Sequence, residues 1–265
     1  MKLEDYPPQE PLSEAGQAYS AECWRRSSGI PCREVGFGTD PYQRLLVFEP
    51  RKPDGRVLVF WHGGGWTSGY KEWMGFMAPA FNAAGVTFVS AGYRLAPQHV
   101  FPAGLDDCAK ALDWVARNIE ASVFIGGHSA GGHYAALIAC QKQKPRIRGC
   151  LPLSGVFEFG EGSGLSVRPR FLGPDPATDR LASPRYRLQA PLPPFLVAYG
   201  SKDFAHLIPQ AERFVDAVRA AGGEAERLEL RERTHFTASY AGGEADGPWV
   251  PAALAFMAHH ARAGA

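Results

Sequence analysis

Residues 122–140 read SVFIGGHSAGGHYAALIAC, and this stretch decides the fold prediction. Its apolar beginning, 122–125, predicts a buried strand, and 133–140 predicts a helix. A serine at the sharp turn between a strand and a helix needs small residues two positions before and after it, because larger side chains would prevent the backbone from turning so tightly. Gly127 and Gly131 occupy those two positions. The stretch therefore predicts that Ser129 presents its hydroxyl outside the sheet.

The alternation of apolar strands with amphipathic helices continues along most of the chain. It predicts an α/β fold with a mostly parallel, eight-stranded sheet, helices on both faces and an antiparallel pair of strands at the N-terminal edge. We predict helices at 13–26, 71–84, 105–117, 133–140, 206–221 and 248–260, and strands at 32–37, 44–48, 57–61, 86–90, 122–125, 147–153, 195–199 and 225–231. The proline-rich segment 155–194 breaks the rhythm and predicts a cap or lid excursion.

Length and composition favour a single globular domain. A chain of 265 residues, 45% of them hydrophobic, fits one large α/β domain or at most two small ones, and we expect a single domain over 1–265. The balance of 28 basic against 27 acidic residues gives no reason to expect a nucleic-acid partner. The first residues are acidic and proline-rich where a signal peptide needs an apolar run, and no apolar stretch approaches the roughly 20 residues of a membrane span. We expect a cytoplasmic protein.

The cysteines also favour a cytoplasmic location. The five are scattered, and none forms a C-x-x-C pair, which favours buried free thiols over a disulfide or metal framework. The sequence accordingly predicts no metal and no cofactor. It leaves the formation of a homodimer open.

Three residues follow the carboxyl ends of predicted strands, where functional groups gather in an open α/β sheet. They are Ser129, Asp203 and His235, in that order along the chain. A serine hydroxyl becomes a good nucleophile only if an imidazole takes its proton, and a carboxylate orients that imidazole. The order therefore predicts a catalytic Ser-His-Asp set. Asp203 could instead cap the following helix, with Glu232 as a second candidate acid.

Three consecutive glycines follow the predicted third strand. Their N–H groups, above all those of Gly64 and Gly65, are candidates to hold a developing oxyanion together with the N–H of Ala130, the residue after the serine. A glycine triplet could also be only a flexible loop, although its position after a buried strand argues against this. Trp66 and Tyr70 follow the triplet and are candidate walls of a substrate pocket.

Structural roles are the better interpretation for several other conspicuous residues. His62 precedes the serine in the chain and is expected to fix the glycine loop. His133 lies one helical turn after Ser129 and is expected to be packed in the core. Arg94 lies in a Tyr-Arg-Leu-Ala-Pro run, and we expect it to brace a rigid turn by pairing with a carboxylate at 106–107.

These motifs together resemble the α/β-hydrolase fold, and within it the hormone-sensitive-lipase-like esterases and the kynurenine formamidases (arylformamidases). The resemblance extends from about residue 44 to the final helix. It rests on His62-Gly63-Gly64-Gly65-Trp66, Tyr93-Arg94-Leu95-Ala96-Pro97, Ser129-Ala130-Gly131-Gly132, Asp203 and His235. His128, where the esterase group usually has Asp, resembles the formamidases, whereas the glycine triplet and the Tyr-Arg-Leu-Ala-Pro run resemble the esterases.

The resemblance implies a serine hydrolase that cleaves a small acyl ester or an aryl formamide through an acyl-enzyme. A short-chain carboxylesterase of the hormone-sensitive-lipase-like group is the alternative within the same chemistry. A binding module that uses this fold without catalysis is the competing hypothesis from another class. Such modules typically lose the serine, the histidine or the glycines, and this sequence has all of them.

Overall fold

A computed structural model describes residues 3–141 and 147–262, and in these ranges eight strands form one sheet with helices on both faces. The strands are β1 (Arg33–Gly36), β2 (Arg44–Phe48), β3 (Arg56–Trp61), β4 (Thr87–Ala91), β5 (Ser122–His128), β6 (Ile147–Leu153), β7 (Phe195–Lys202) and β8 (Ala225–Thr234). The α-helices are α1 (Glu14–Ser27), α2 (Ala78–Ala83), α3 (Ala103–Asn118), α4 (Ala130–Ala139), α5 (Ala177–Ala182), α6 (Leu207–Ala220), α7 (His235–Tyr240) and α8 (Val250–Arg262).

The sheet has the order β1-β2-β4-β3-β5-β6-β7-β8. Strand β2 pairs antiparallel with both of its neighbours, and all other neighbouring strands pair parallel. The expected mostly parallel sheet with an antiparallel N-terminal edge is confirmed. The carboxyl ends of β3 and β5 to β8 consequently lie along one edge of the sheet, which is where loops from distant parts of the chain meet.

Alternate side chains of the central strands supply two separate cores. In β3, Val57 and Val59 face one core, and Leu58 and Phe60 face the other. Helices α3, α4 and α6 cover the first core, and α1, α2 and α8 cover the second. Both faces of the sheet are buried, which explains why its central strands are apolar without alternation.

The expectation of one continuous helix over 71–84 is wrong. Residues Lys71–Met77 form a 3-10 helix, and α2 begins only at Ala78. Pro79 explains the break, because a proline lacks the N–H for an α-helical hydrogen bond and its ring clashes with the carbonyl four residues earlier. Gly85, with φ of +80°, ends this region as predicted. Helices α5 and α7 were not predicted.

The segment 155–194 packs over the carboxyl edge of the sheet through its aromatic side chains. Phe157, Phe159 and Phe171 are buried, and Phe171 stacks on Trp66 with ring centroids 4.3 Å apart. Helix α5 and a 3-10 turn at Pro184–Tyr186 lie near its end. Its function as a lid stays a prediction.

The cysteines largely follow the sequence expectation. All five are free, and four are buried, but Cys32 is exposed because it lies just before the edge strand β1. Among the helices of the described ranges, none combines the length and the apolar character that crossing a membrane requires.

The turn after β4 is braced as the sequence predicts. Asp107, whose side chain is fully buried, accepts hydrogen bonds from the Arg94 guanidinium at 2.7 and 2.8 Å and from the Arg94 backbone N–H at 3.0 Å. Gln43 donates to the same carboxylate at 2.7 Å. Helix α3 is thereby attached to the loop after β4 and to the loop before β2.

We expect Asp107→Ala to lower the free energy of unfolding by about 3 kcal/mol, because it leaves the Arg94 guanidinium and the Gln43 amide without their buried partner. Urea denaturation measures the loss. The neighbouring Asp106 is exposed and gives a matched control, for which Asp106→Ala should change stability by less than about 1 kcal/mol. Equal losses for the two variants would contradict the brace.

Candidate active site

Ser129 lies on a strained turn between β5 and α4. Its φ of +54° and ψ of −117° are in a region that non-glycine residues rarely adopt. The glycines on either side allow this turn to form. A Cβ on Gly127 would lie 2.3 Å from the Gly131 carbonyl carbon, and a Cβ on Gly131 would lie 2.1 Å from the Trp61 carbonyl oxygen. Both contacts are with backbone atoms, so no side chain fits at either position.

The structure brings Ser129, His235 and Asp203 together although they are far apart in the chain. The His235 Nε2 atom lies 3.0 Å from the Ser129 Oγ, and its Nδ1 lies 2.8 Å from an Asp203 carboxylate oxygen. The carboxylate accepts the Nδ1–H, so the lone pair of a neutral His235 faces the serine hydroxyl. Ser129 follows β5, Asp203 follows β7, and His235 begins α7 directly after β8.

Several donors keep the Asp203 carboxylate charged in a buried place. Burial raises its pKa, but hydrogen bonds from His235 and Ser154 and from the Phe204 N–H outweigh burial and hold the pKa below its usual value. The Ser154 hydroxyl donates at 2.5 Å, and Ser154 itself has a φ of +51° at the end of β6. The loop after β6 thus supplies a donor that the sequence analysis missed.

The other candidate acid lies elsewhere. Glu232 is exposed and pairs with Lys202 at 2.6 Å, with both side chains largely in solvent. The structure therefore places Asp203, and not Glu232, at the imidazole. Asp203 is also not the cap of α6, since the residue before that helix is His206.

The glycine loop lies beside Ser129. Gly64 has a φ of +111°, and a Cβ there would lie 2.0 Å from the Ser68 carbonyl oxygen. Gly65 has a φ of +61° with open space where its Cβ would be, and both glycines line the same cavity as Ser129. Ala130 is the first residue of α4, where backbone N–H groups lack a partner within the helix. The candidate oxyanion donors therefore belong to two elements, the glycine loop that lines the cavity and the first turn of α4 directly after Ser129.

A cavity of about 310 Å³ opens at Ser129. Its walls come from three regions of the chain, and they are mostly apolar. The N-terminal region contributes Leu12 and Tyr19, and the segment 155–194 contributes Val156 and Leu165. The third group comes from the strand ends and their loops, with Trp66, Trp73, Phe204, Leu207 and Phe236 among its members.

Of the two predicted pocket walls, Trp66 lines the cavity and Tyr70 does not. The Trp66 ring is fixed because its Nε1–H donates to His133 Nδ1 at 3.1 Å, and His133 in turn donates from Nε2 to the Ala182 carbonyl at 2.7 Å. Tyr70 instead packs edge-on against Tyr6 and Trp73. The expectation for Tyr70 is wrong because its ring packs among Tyr6, Trp24 and Trp73 and is not part of the cavity wall.

The two histidines assigned structural roles are buried, as expected. Burial lowers the pKa of both His62 and His133 to about 4, so both are neutral at pH 7. His62 lies 2.7 Å from the Gly63 carbonyl oxygen through Nδ1 and stacks on Tyr93 at 4.4 Å. It thereby fixes the start of the glycine loop.

Three further contributors to the site were missed at the sequence level. Ser154 follows the strand after the serine turn, and its position at a strand end is a signal that could have pointed to it. Phe204 follows the acid directly, and its ring stacks on His235 at 4.4 Å. Tyr19 gave no signal, because it lies in the N-terminal helix, more than 100 residues before Ser129.

A separate group of metal-binding residue types lies at the opposite edge of the sheet. Glu224 precedes β8, and His259 and His260 lie near the end of α8, with their ligand atoms within 4.8 Å of one another. Two of the three side chains are exposed. This group shares no residue with the cavity at Ser129, so the chemistry of that cavity does not involve it.

Comparisons with known proteins agree with this architecture. Residues 58–168 match the model of a family described as alpha/beta hydrolase fold. Esterase LipC of Mycobacterium tuberculosis is 31% identical over 223 residues, which are 71% of this chain and 55% of that protein. Kynurenine formamidase of Danio rerio is 23% identical over 217 residues, 77% of this chain and 74% of that protein.

Among solved structures, the carboxylesterase EstE1 from a metagenomic library superposes with a TM-score of 0.74 at 22% identity, covering 96% of this chain and 99% of that one. This likeness shows the fold. The chain spans about half the length of several of the curated relatives it matches.

The lowered pKa of Asp203 predicts that the stability of the fold depends on pH. Because its folded-state pKa lies below the unfolded value of about 3.9, the charged carboxylate stabilises the fold above about pH 4 and loses this contribution as the pH falls through the folded-state pKa. We expect Asp203→Asn to be less stable than the unsubstituted protein at pH 7, with a difference that shrinks below pH 4. Urea denaturation from about pH 3 to 7 measures it.

The exposed Asp216 of α6 provides the control, and Asp216→Asn should follow the unsubstituted protein at every pH. A difference between Asp203→Asn and the unsubstituted protein that stays constant from pH 7 to 3 would contradict the assignment of a lowered pKa.

Proposed function

Because the chain has the α/β-hydrolase fold and is similar to esterases and to kynurenine formamidase, we propose that it is a serine hydrolase of small acyl substrates. The observation that carries the proposal is the hydrogen-bonded series from the Ser129 hydroxyl through His235 to the buried Asp203 carboxylate. A fold alone would not support an activity, because one fold hosts many functions.

In the proposed reaction, the Ser129 oxygen attacks the acyl carbon while His235 Nε2 takes the hydroxyl proton. Asp203 holds the Nδ1–H and stabilises the imidazolium that forms. The N–H groups of Gly64, Gly65 and Ala130 bind the oxyanion of the tetrahedral intermediate. The imidazolium then gives its proton to the leaving alcohol or amine, which leaves an acyl-enzyme.

Water completes the cycle. His235 takes a proton from the water, whose oxygen attacks the acyl-enzyme, and the same proton returns to Ser129 as the acid is released. The groups that act on the substrate and on the water are all side chains or backbone amides of the chain, so the proposal invokes no cofactor. The proposed reaction depends neither on the predicted cytoplasmic location nor on whether the protein forms a homodimer.

Two substrate classes fit the same machinery. An aryl formamide has a small formyl group and an aniline leaving group, which departs more easily than an alkyl amine. A short-chain ester has an alcohol that departs more readily still. His128 and the similarity to kynurenine formamidase support the first class, and the similarity to esterase LipC supports the second.

We expect Ser129→Ala to lower kcat for p-nitrophenyl acetate and for N-formylkynurenine by about 10⁴-fold or more, because it removes the nucleophile. The exposed Ser28 provides a control, and Ser28→Ala should keep full activity. A fluorophosphonate probe should label the unsubstituted protein and Ser28→Ala but not Ser129→Ala. Activity that survives in Ser129→Ala would reject the mechanism, and a protein that is neither active nor labelled would favour the binding-module hypothesis.

The size of the cavity predicts a limit on the acyl group. A volume of about 310 Å³ lies at the lower end of the roughly 300–1,000 Å³ typical of ligand sites. We expect kcat/KM to be highest for acetyl or butyryl esters of p-nitrophenol and to fall about 10-fold or more by the dodecanoyl ester. A rate that rises steadily to the dodecanoyl ester would contradict this expectation.

A further inference from the structure

The imidazole of His235 contacts two other rings. The exposed Phe204 stacks on it with centroids 4.4 Å apart, and His128 lies 4.7 Å away at an angle of 42°. His128 directly precedes Ser129 and is almost fully buried at the end of β5. It also faces the glycine loop, because a Cβ on Gly63 would lie 3.0 Å from its Nδ1. His128 therefore contacts both the base and the oxyanion loop.

The hydrogen bonds of His128 determine its tautomer. Its Nε2 lies 3.0 Å from the backbone carbonyl oxygen of His235, which can only accept, so the Nε2 carries the proton and donates it. Burial and the neighbouring His235 lower the pKa of His128, so its ring is neutral. The Nδ1 of a neutral ring with a protonated Nε2 must then be an acceptor.

Tyr19 of α1 is the protic group that faces this acceptor. Its hydroxyl lies 3.5 Å from His128 Nδ1 and 2.8 Å from the Ser239 hydroxyl of α7. If Tyr19 donates to His128, Ser239 must donate to Tyr19. Burial raises the pKa of Tyr19 far above its usual value, so its proton is retained. The titratable groups around His128 are then Tyr19 on α1, His235 on α7 and, beyond it, Asp203 after β7.

We propose that His128 is a positioning residue, which holds the backbone of His235 through its Nε2–H and is itself kept in place by Tyr19 at its Nδ1. The inference rests on the proposed function, since it assigns a role to His128 in that reaction. The N-terminal helix contributes to the site in this way as well as through the cavity wall.

The physical reason lies in how the base is attached to the chain. His235 begins the short helix α7, which has only six residues, directly after the edge strand β8. An element at the edge of a sheet has fewer neighbours to fix its position. A donor from β5, near the centre of the sheet and next to the nucleophile, ties the backbone of the base to the element that carries Ser129. The distance between Ser129 Oγ and His235 Nε2 is thereby maintained.

The test compares two substitutions of His128 with side chains of similar size, of which only one can donate a hydrogen bond. His128→Leu removes the Nε2–H, and we expect kcat for p-nitrophenyl acetate to fall about 10-fold or more, with KM changed less than about 2-fold, because positioning affects the reacting geometry. His128→Gln restores an N–H near the same place and should recover kcat to within about 3-fold of the unsubstituted protein. The rate of fluorophosphonate labelling should follow kcat.

Tyr19→Phe removes only one hydroxyl and tests the second step. The change leaves the buried Nδ1 acceptor of His128 without its donor, so the ring that donates to the His235 carbonyl is held less firmly, and we expect kcat to fall about 3-fold. Tyr240→Phe is the matched control, because Tyr240 stacks on Tyr19 with centroids 5.6 Å apart but takes no part in these hydrogen bonds to His128. It should leave kcat and KM unchanged.

Equal kcat values for His128→Leu and His128→Gln would overturn the positioning role, as would a loss that appears in KM alone. If His128→Leu does not fold, Tyr19→Phe decides. A lowered kcat supports the proposal when the melting temperature of Tyr19→Phe equals that of Tyr240→Phe. An unchanged kcat overturns it. Ser129→Ala measured in the same assay separates this proposal from the function on which it rests, because activity in that variant would reject the function itself.

Discussion

The tight turn at Ser129 is the constraint on which the rest of the site depends. A φ of +54° directs the hydroxyl away from the sheet, and it is sustained only because Gly127 and Gly131 let backbone segments approach where any Cβ would collide. The close contact of Gly131 with the Trp61 carbonyl also places α4 against the strand that leads into the glycine loop. One local geometry therefore fixes both the hydroxyl and the amides proposed to act on the same carbonyl.

The electrostatics of the site follow from the parallel sheet. Loops from β5, β6, β7 and β8 meet at one edge, and each brings one group: Ser129, Ser154, Asp203 and His235. The buried carboxylate stays charged because donors from two of these loops and from the imidazole compensate for the loss of water. A site assembled from four strand ends forms only when those strands pair in the sheet. The contacts that stabilise the sheet therefore also support the proposed activity.

The cavity draws its walls from segments that lie far apart in the chain. Helix α1 and the segment 155–194 both contribute apolar side chains over Ser129. Tyr19 connects the first of these walls to His128 and thus to the backbone of His235. The N-terminal helix is thus linked to the base through His128 and also lines the space available to a substrate, which gives this region more influence on the site than its sequence indicates.

Local patterns in the sequence determined the strand order along the chain, the serine turn and the chemical character of the strand-end residues Ser129, Asp203 and His235. These features depend on side chains close in sequence, such as glycines two positions from a serine, and periodicity is enough to detect them. The choice of Asp203 over Glu232, the Ser154 donor, the Tyr19 contact and the exclusion of Tyr70 from the cavity were decided only by the tertiary structure. Each of them depends on which loops meet at the sheet edge and how the rings then pack, and contacts between residues far apart in the chain leave no periodic trace in the sequence.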